Sequence, residues 1–556
     1  MKTHDVLNQS TALVDYNLFT GDRLLMSLMS QYGASWAVPQ LTTFGGIVGS
    51  AEANEWAVQA NRNDPELHTH NRFGQRVDEV KFHPAWHNLM RTSVEHEVHS
   101  LPWREAKPGA HVARAALMYM AFQNEAGHCC PISMTYSAVP ALRRTPELAK
   151  IWEPLILSNK YDPRFLPASQ KTGVLFGMAM TEKQGGSDVR ANTSRATPLG
   201  EAGPGKPYSL TGHKWFCSAP MCDAFLMLAQ TEKGVSCFLV PRFLPDGTKN
   251  NIFIQRLKDK LGNWSNASSE IEFENATGWL VGDEGRGVNT IIEMVNHTRL
   301  DCLLAATSLM RAATLQAIHH CRQRAAFGKK LVDQPLMTNV LADLAIESEA
   351  ALRLAMRVAA AYDGQKESPE EASFRRIASA IAKYWLCKRV STHVAEALEC
   401  FGGNGYVEEG PMARLFREAP LNGIWEGSGN VICLDVLRAI AKEPAALDAL
   451  LGELSKGRGV NKDLDRFLGS LRTKLTALKK AVAKQGAAAL ATREAEARLL
   501  VEQMAVGLQA SLLVQANSPA AAPFIATRLR KAGGLAFGTL PAKTPMRAIV
   551  DAAYIA

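Results

Sequence analysis

The spacing of apolar residues changes along the chain, and each change indicates a different kind of secondary structure. In about the first 170 residues, apolar positions recur at helical spacing, as in residues 113–125, and Pro and Gly separate the segments. From Thr172 to about Glu284 they form short β-rich runs instead, divided by turn-forming residues. This pattern predicts N-terminal helices and then an antiparallel β-domain whose strands include Ala224–Gln230, Val235–Pro241 and Glu270–Phe273.

The helical period returns after the β-rich region. Long amphipathic segments cover about residues 289–325, 336–362 and 374–401, and another follows Gly429. Four such helices with short connections indicate a bundle. Beyond a break near residues 442–444, Ala- and Leu-rich helices are predicted over 472–484 and 494–514. The fold class predicted is α+β, with an N-terminal helical domain (1–171), a middle β-domain (172–285), a helical bundle (286–444) and a helical extension (445–556).

Composition narrows the class of protein. Of 556 residues, 47% are hydrophobic, which is ample for several buried cores. No uninterrupted apolar run approaches the roughly 18–20 residues of a membrane-spanning helix, so we expect no membrane span. The N-terminus lacks the apolar core of a secretory signal. Ten cysteines without a C-x-x-C pair predict free buried thiols, no metal site and a cytoplasmic location.

The net charge of +8 is concentrated at one end of the chain. Residues 445–556 contain sixteen Lys and Arg against eight Asp and Glu, so the first 444 residues have no net charge. Such asymmetry predicts an appended basic module.

The chain has no dinucleotide-binding fingerprint. Gly282-x-x-Gly285-x-Gly287 lacks the G-x-G-x-x-G spacing, which argues against a nicotinamide site of the usual kind. Three other segments combine glycine with small hydroxyl residues and suit an extended cofactor. They are MTEKQGGSD (180–188), GHKWFCS (212–218), and FGGNGY (401–406) followed by IWEGSGN (424–430).

Each segment alone also has an ordinary structural explanation. The first is a turn with a polar rim, and the aromatic pair of the second would usually lie in a core. Gly402 and Gly403 of the third would usually form a helix C-cap.

Together, and in this order, these motifs resemble those of the acyl-CoA dehydrogenases, and the resemblance covers nearly all of residues 60–440. A further motif of the family, R-x-x-F-G at 324–328, lies between the second and third segments. MTEKQGGSDV, GHKWF, FLVPRFLPDG, RLKDKLGNWSNAS and IWEGSGN are most similar to the AidB-like branch, which is tied to the alkylation-damage response and has an extra C-terminal domain.

The resemblance implies FAD as cofactor and assigns its contacts. Met180 and Thr181 would touch the pyrimidine side of the flavin and Ser187 the pyrophosphate. Phe216 would pack on the isoalloxazine, with Ser218 near N5. A neighbouring subunit would supply Arg324, Phe327, Gln334, Gly402 and Gly403, which implies a homotetramer. The remaining predicted cofactor-binding residues are Gly185, Gly186, Trp425, Gly427, Ser428 and Asn430.

The resemblance also implies that Glu426 is the catalytic base. Dehydrogenation next to a thioester needs a carboxylate to take the α-proton, and a positioned base contributes about 10²–10⁴ in rate. Without the family, Glu426 would be interpreted as a carboxylate favoured at a helix N-terminus. Arg299 resembles an arginine that lines the acyl pocket, although a structural ion pair explains it equally well. Two departures from the family pattern are Trp425 for the usual Tyr and Lys183-Gln184 for Pro-Gly.

Two functions remain open at this point. One is a metabolic FAD-dependent dehydrogenase that acts on a short or branched acyl-CoA. The other, which the resemblance favours, is an alkylation-response flavoprotein that binds double-stranded DNA and keeps weak dehydrogenase activity. A basic surface without base-reading motifs suits phosphate contact, and a solvated helix face is the alternative. The candidate DNA contacts are Arg438, Lys474, Lys479, Lys480, Lys484, Arg528, Arg530 and Lys531.

Overall fold

The computed structural model describes residues 3–364, 368–486, 488–491 and 493–555, which form two units. Unit 1 contains residues 1–50, 111–123 and 302–556, and unit 2 contains residues 51–110 and 124–301. The α-helices are α1 (Arg23–Gln31), α2 (Val38–Val48), α3 (Ala51–Arg62), α4 (Pro84–Glu95), α5 (Leu101–Arg104), α6 (Ala110–Asn124), α7 (Cys129–Leu142), α8 (Pro146–Ile156), α9 (Gly287–Gln323), α10 (Pro335–Gly364), α11 (Pro369–Glu399), α12 (Pro411–Glu418), α13 (Gly429–Lys442), α14 (Pro444–Ser455), α15 (Lys462–Gln485), α16 (Ala488–Ala491), α17 (Ala497–Gln515), α18 (Ala521–Phe524) and α19 (Met546–Ala553).

Unit 2 is built around a seven-stranded sheet. The strands of the chain are β1 (Glu66–His70), β2 (Arg76–Lys81), β3 (Phe176–Ala179), β4 (Arg195–Pro198), β5 (Pro207–Ser218), β6 (Ala224–Thr231), β7 (Gly234–Pro241), β8 (Ile252–Leu257), β9 (Ser268–Val281), β10 (Ala325–Ala326) and β11 (Lys329–Lys330). The large sheet has the order β3-β6-β4-β5-β9-β7, and β8 pairs with β9. The predicted middle β-domain is confirmed, with one difference: β6 pairs parallel with β3 and β4, so the sheet is mixed.

Unit 1 is helical, and its core consists of α10, α11 and the part of α9 from Cys302 onward, since residues 287–301 of α9 belong to unit 2. Side chains along these three helices are largely buried on more than one face, which suits helices surrounded by others. The predicted segments 289–325, 336–362 and 374–401 correspond to them within a few residues. Helical terminal regions with a β-rich middle confirm the predicted α+β fold class.

The helices after Pro444 pack on the same core. α14 and α17 both lie against α11, and α10 contacts α17 and α19. Trp385 on α11 donates a hydrogen bond to Gln509 on α17 at 2.9 Å. The extension therefore belongs to unit 1, and the four-domain division stays a prediction.

One helix of the extension is long and apolar enough by composition to cross a membrane. It is residues 494–515, with a mean hydropathy of 1.3 over its most apolar window. However, 72% of that window is buried inside the protein. A buried apolar helix of this kind is a core helix. All ten cysteines are buried thiols, as the sequence predicted.

Candidate functional site

A buried ion pair anchors the segment 180–188, which follows β3. Lys214 donates a hydrogen bond to Glu182 Oε1 at 2.8 Å, and both side chains are fully buried. The same carboxylate accepts bonds from the backbone N–H groups of Thr193 and Ser194. Burial alone would raise the pKa of Glu182, but Lys214 and these hydrogen bonds hold it below its usual range. The sequence motifs contain both residues, but their spacing gave no signal for this anchor.

The glycines of the segment have separate functions. A Cβ at position 186 would lie 2.5 Å from Thr181 Oγ1, so only glycine allows this approach. Gly185 has a φ of +141° and open space beside it. Met180 and Thr181 are half-buried, and Ser187 is exposed. The arrangement leaves hydroxyl groups accessible beside a backbone without side chains.

Phe216 and Ser218 lie at the end of β5. Phe216 is 54% exposed, which is unusual for an aromatic side chain on a sheet, and Ser218 is half-buried. The pairing of β5 with β9 shifts register between Lys214 and Cys217, and this bulge changes the direction of the strand. The sequence gave no signal for this bulge.

The R-x-x-F-G motif of unit 1 forms the tight β10–β11 hairpin after α9. Phe327, at its tip, has a φ of +52° and is 98% exposed. Gln334 donates a hydrogen bond to the carbonyl of Ala326 at 2.9 Å.

The N-terminal segment holds the base of this hairpin. Asn8 Nδ2 donates to the carbonyl of Ala325, and Asn8 Oδ1 accepts from the Ala325 N–H, both at 2.8 Å. Arg324 donates to the carbonyl of Asn8. Because 317 positions separate Asn8 from Ala325, no sequence pattern indicated this contact.

Gly402 and Gly403 begin a short 3₁₀ helix, Gly402–Gly405, just after α11. Gly402 has a φ of +59°, but the C-cap of α11 is Cys400, two residues earlier. Both glycines are exposed, and a Cβ on either would meet nothing within 4 Å. The two glycines therefore do not cap the helix, and they leave room for a ligand.

Glu426 lies in the loop between a 3₁₀ helix, Pro420–Gly423, and α13. It adopts a φ of +56°, and Gly427 follows with +104°. A glutamate in the left-handed region is uncommon and persists only where its surroundings enforce it, often at functional sites. Its side chain is half-buried. The loop thus presents the carboxylate on a strained backbone immediately before the N-terminus of α13.

The neighbours of Glu426 in the predicted cofactor set differ in their surroundings. The indole N–H of Trp425 is buried and has no hydrogen-bond partner among the described residues. Ser428 is the exposed N-cap of α13, and its side chain makes no capping bond. Asn430 accepts a hydrogen bond from Arg498 of the extension at 2.8 Å. Arg299 is buried on α9 within unit 2.

These residues fit a flavin nucleotide in their chemistry. Taken by itself, unit 2 has the hydroxyl groups of Thr181, Ser187 and Ser218, open space at Gly185 and the exposed ring of Phe216. Unit 1, by itself, has the hydroxyl group of Ser428, open space at Gly402 and Gly403 and the exposed ring of Phe327. Trp425 offers an unused donor, which a buried polar group requires. The predicted flavin contacts divide between the two units, Met180 to Ser218 in unit 2 and Arg324 to Asn430 in unit 1.

The predicted DNA contacts fall into three groups. Lys474, Lys480 and Lys484 on α15, together with Arg438 and Lys531, are exposed. Lys479 and Arg530 are engaged with Asp448 and Asp463 in partly exposed ion pairs.

Arg528 requires a correction. Its guanidinium is 14% exposed and bonds Asp343 at 2.6 Å and Glu347 at 3.0 Å, both nearly buried on α10. A buried arginine with two carboxylate partners is a packing element of unit 1, so Arg528 does not belong to an exposed basic surface.

Comparison with known families agrees with this architecture. Residues 177–276 match the acyl-CoA dehydrogenase middle domain and residues 285–441 the acyl-CoA dehydrogenase C-terminal domain. The chain belongs to the acyl-CoA dehydrogenase family. Residues 8–163 match the adaptive response protein AidB N-terminal domain, which assigns the chain to the AidB-like branch predicted from the sequence.

Individual relatives agree over most of their lengths. The chain is 46% identical to the putative acyl-CoA dehydrogenase AidB of Escherichia coli (strain K12), over 85% of this chain and 87% of that protein. It is 30% identical to acyl-CoA dehydrogenase family member 11 of Caenorhabditis elegans, over 83% and 74%. The crystal structure of C. elegans ACDH-11 in complex with C11-CoA superposes with a TM-score of 0.84 at 25% identity, covering 95% of this chain and 94% of that one. Family membership makes the protein an FAD-dependent oxidoreductase, which confirms the predicted enzyme class and cofactor.

Proposed function

We propose that the protein oxidises an acyl-CoA thioester between Cα and Cβ, with Glu426 as the base. The observation that carries this proposal is the backbone of Glu426, which holds a half-buried carboxylate in a left-handed conformation before α13. Strain of this kind costs roughly 1–3 kcal/mol and is typical of functional positions. The C. elegans relative bound to C11-CoA supports a CoA thioester as the substrate class.

In this proposal the residues divide the reaction between them. The Glu426 carboxylate takes the proton from Cα, and the new Cα–Cβ double bond forms as hydride leaves Cβ. FAD, when bound, supplies the hydride acceptor. Met180, Thr181, Ser187 and Ser218 would hold the cofactor, and Phe216 would pack against it. The indole of Trp425, bulkier than the family's usual Tyr, narrows the acyl site.

The test is anaerobic reduction of the flavin by a panel of acyl-CoAs, straight and branched, of increasing chain length. The expected result is bleaching by some members, with the matching 2-enoyl-CoA as product. Stoichiometric enoyl-CoA links the bleaching to α,β-dehydrogenation. A flavin that stays oxidised with every thioester would refute the proposal.

A second candidate function is DNA binding in the response to alkylation damage. The specific observation is the exposed basic face of α15, where Lys480 and Lys484 lie one helical turn apart and have no acidic partner among the described residues. The match of residues 8–163 to a domain of an adaptive response protein supports the biological context. Electrostatic contact of this kind would be independent of base sequence.

Charge reversals at two places in the chain test whether α15 itself contacts DNA, or whether only the net charge of the protein affects DNA binding. Lys480→Glu with Lys484→Glu should weaken binding to all duplexes and flatten the slope of log K against log salt by about 0.9 for each phosphate that is no longer neutralised. Lys150→Glu with Lys160→Glu is the control, because it changes the net charge equally at exposed positions in unit 2. Equal weakening in the two variants, or in neither, would exclude α15 as the DNA surface.

We also propose a homotetramer in the cytoplasm. Phe327, Leu336 and Tyr406 are each more than four-fifths exposed within unit 1, and large apolar side chains of this kind support an interface with a second copy. Sedimentation of the FAD-loaded protein tests the assembly, and a monomer that retains full flavin would contradict it.

A further inference from the structure

A buried lysine lies beside the loop that carries Glu426. Lys383, on α11, is 1% exposed. Its ammonium donates hydrogen bonds to the carbonyl oxygens of Asn422 at 2.8 Å and Gly427 at 2.9 Å. The first acceptor comes shortly before Glu426 in the chain and the second immediately after it. One charged group therefore ties together the two ends of the loop.

The burial of this ammonium has a clear energetic implication. Lysine is almost never fully buried unless its charge is compensated, since loss of hydration is costly. Both acceptors are main-chain carbonyls, so the compensation depends on the loop keeping its present conformation. Hydrogen bonds from a charged donor are about twice as strong as neutral ones. The lysine and the loop conformation thus stabilise each other.

The loop needs such support because its own backbone is unfavourable. Glu426 and Gly427 both have positive φ, and the preceding 3₁₀ helix, Pro420–Gly423, is only 4 residues long. The N–H groups of Ile424 and Trp425 both donate to the carbonyl of Leu421, at 2.9 and 3.2 Å. The carbonyl of Asn422 falls at the end of that short helix, where carbonyls lack helical partners. Lys383 satisfies it.

We infer that Lys383 is a positioning residue for Glu426: its ammonium fixes the loop that presents the carboxylate without touching the substrate. This inference rests on the proposed function of Glu426 as the base. The anchoring itself, however, is measurable without any substrate.

The first experiment is hydrogen–deuterium exchange on the FAD-loaded protein. In Lys383→Met, which keeps the length of the side chain and removes the donor, exchange at the N–H groups of Ile424 and Trp425 should accelerate at least about tenfold. Lys388→Met is the matched control: this lysine lies on the same helix with its aliphatic chain over Gly429, but it is exposed. Unchanged exchange in Lys383→Met, or an equal increase in Lys388→Met, would overturn the inference.

The second experiment tests whether the anchor acts through Glu426. Lys383→Met should slow acyl-CoA-driven flavin reduction about tenfold with little change in KM and in FAD content. In a Glu426→Gln background the same substitution should produce no further decrease, because the base it positions is absent. A full further decrease there would make Lys383 a general stabilising residue and overturn the inference.

The two experiments also separate this inference from the proposed function. If no acyl-CoA reduces the wild-type flavin, the proposed function fails, while the exchange result still decides whether Lys383 anchors the loop. If Lys383→Met does not fold, Lys383→Gln replaces it, because its amide can still donate to one carbonyl. In Lys383→Gln, faster exchange than in the wild type at the N–H groups of Ile424 and Trp425 supports the inference. Exchange at the wild-type rate overturns it.

Discussion

At the scale of single residues, the site depends on buried charges as much as on the residues expected to touch ligands. Glu182 and Lys214 fix the segment that contains Thr181 and Ser187, and Lys383 supports the loop of Glu426. The motifs predicted candidate ligand contacts because the resemblance to the family rests on them. They did not identify the supporting contacts, since the Glu182–Lys214 pair joins positions 32 residues apart that come together only in the folded chain.

Glu182→Gln should therefore be strongly destabilising. The substitution leaves the Lys214 ammonium fully buried without a charged partner, and breaking a buried pair in this way costs about 3–5 kcal/mol. The measurement is the free energy of unfolding from denaturant titration. Glu201→Gln is the control, because Glu201 pairs with Lys206 on the surface, where solvent screens the pair, and it should leave the free energy of unfolding nearly unchanged. Equal effects of the two substitutions would show that the buried pair is not an anchor.

At the scale of elements, helical periodicity located the long helices well but did not reveal the structures that come after them. The predicted segment 289–325 includes Arg324, whereas α9 ends at Gln323 and a hairpin begins. Apolar spacing alone could not reveal where α9 ends. Phe327 and Gly328, whose positive φ values form the turn of the hairpin, lie beyond the last residue of the helical pattern.

The strands were predicted less completely than the helices. For the longest strand, β9, the sequence indicated only residues 270–273, whereas the strand extends from Ser268 to Val281. It pairs with β5 on one side and with β7 and β8 on the other. The part that the sequence missed contains exposed Glu274, Asn275 with a φ of +54°, and Gly278. Such residues are depleted in strands and interrupt the apolar pattern, so the sequence did not indicate this part of β9.

A buried histidine on the core helix α11 should lower the stability of the folded protein in acid. His393 is fully buried, with Nε2 2.8 Å from Thr314 Oγ1. Burial lowers the pKa of His393 to about 3, although Glu347 partly opposes this shift. An unfolded histidine titrates near about 6.5, so below that pH the unfolded chain binds a proton that the folded chain does not. The stability contributed by the neutral imidazole is present above about pH 6.5 and is lost as the pH falls towards 3.

His393→Gln should remove this contribution to acid sensitivity. Between about pH 6.5 and 5 the wild-type free energy of unfolding should fall by about 2 kcal/mol more than that of the variant, since each pKa unit corresponds to about 1.4 kcal/mol. Denaturant titrations at several pH values provide the measurement. Parallel curves for the two proteins over this range would show that His393 is not the group responsible.

At the scale of the whole molecule, the extension contains both exposed cations and a buried one, and its sequence did not distinguish them. Net charge predicted a basic module, and exposed lysines on α15 are consistent with one. Arg528, predicted to be one of the exposed cations, instead forms ion pairs with Asp343 and Glu347, far earlier in the chain. Composition cannot separate an exposed cation from a buried one, because burial depends on which helix the extension packs against.

Arg528→Ala should destabilise unit 1 by about 3–5 kcal/mol, since it leaves Asp343 and Glu347 buried with one partner fewer. The exposed Lys531→Ala should stay within about 0.5 kcal/mol of wild type. Both values come from denaturant unfolding at constant salt. A mild effect of Arg528→Ala would show that the ion pairs of Arg528 with Asp343 and Glu347 do not hold the extension to unit 1.

The role of Glu426 as the base is decided by the rate of anaerobic flavin reduction by an accepted acyl-CoA, compared between the wild type and Glu426→Gln. The amide has nearly the same shape as the carboxylate, so the variant should fold and retain FAD. Because it cannot take the α-proton, its rate should be lower by about 10²–10⁴. Equal rates in two proteins with equal flavin content would contradict the assignment of Glu426 as the base.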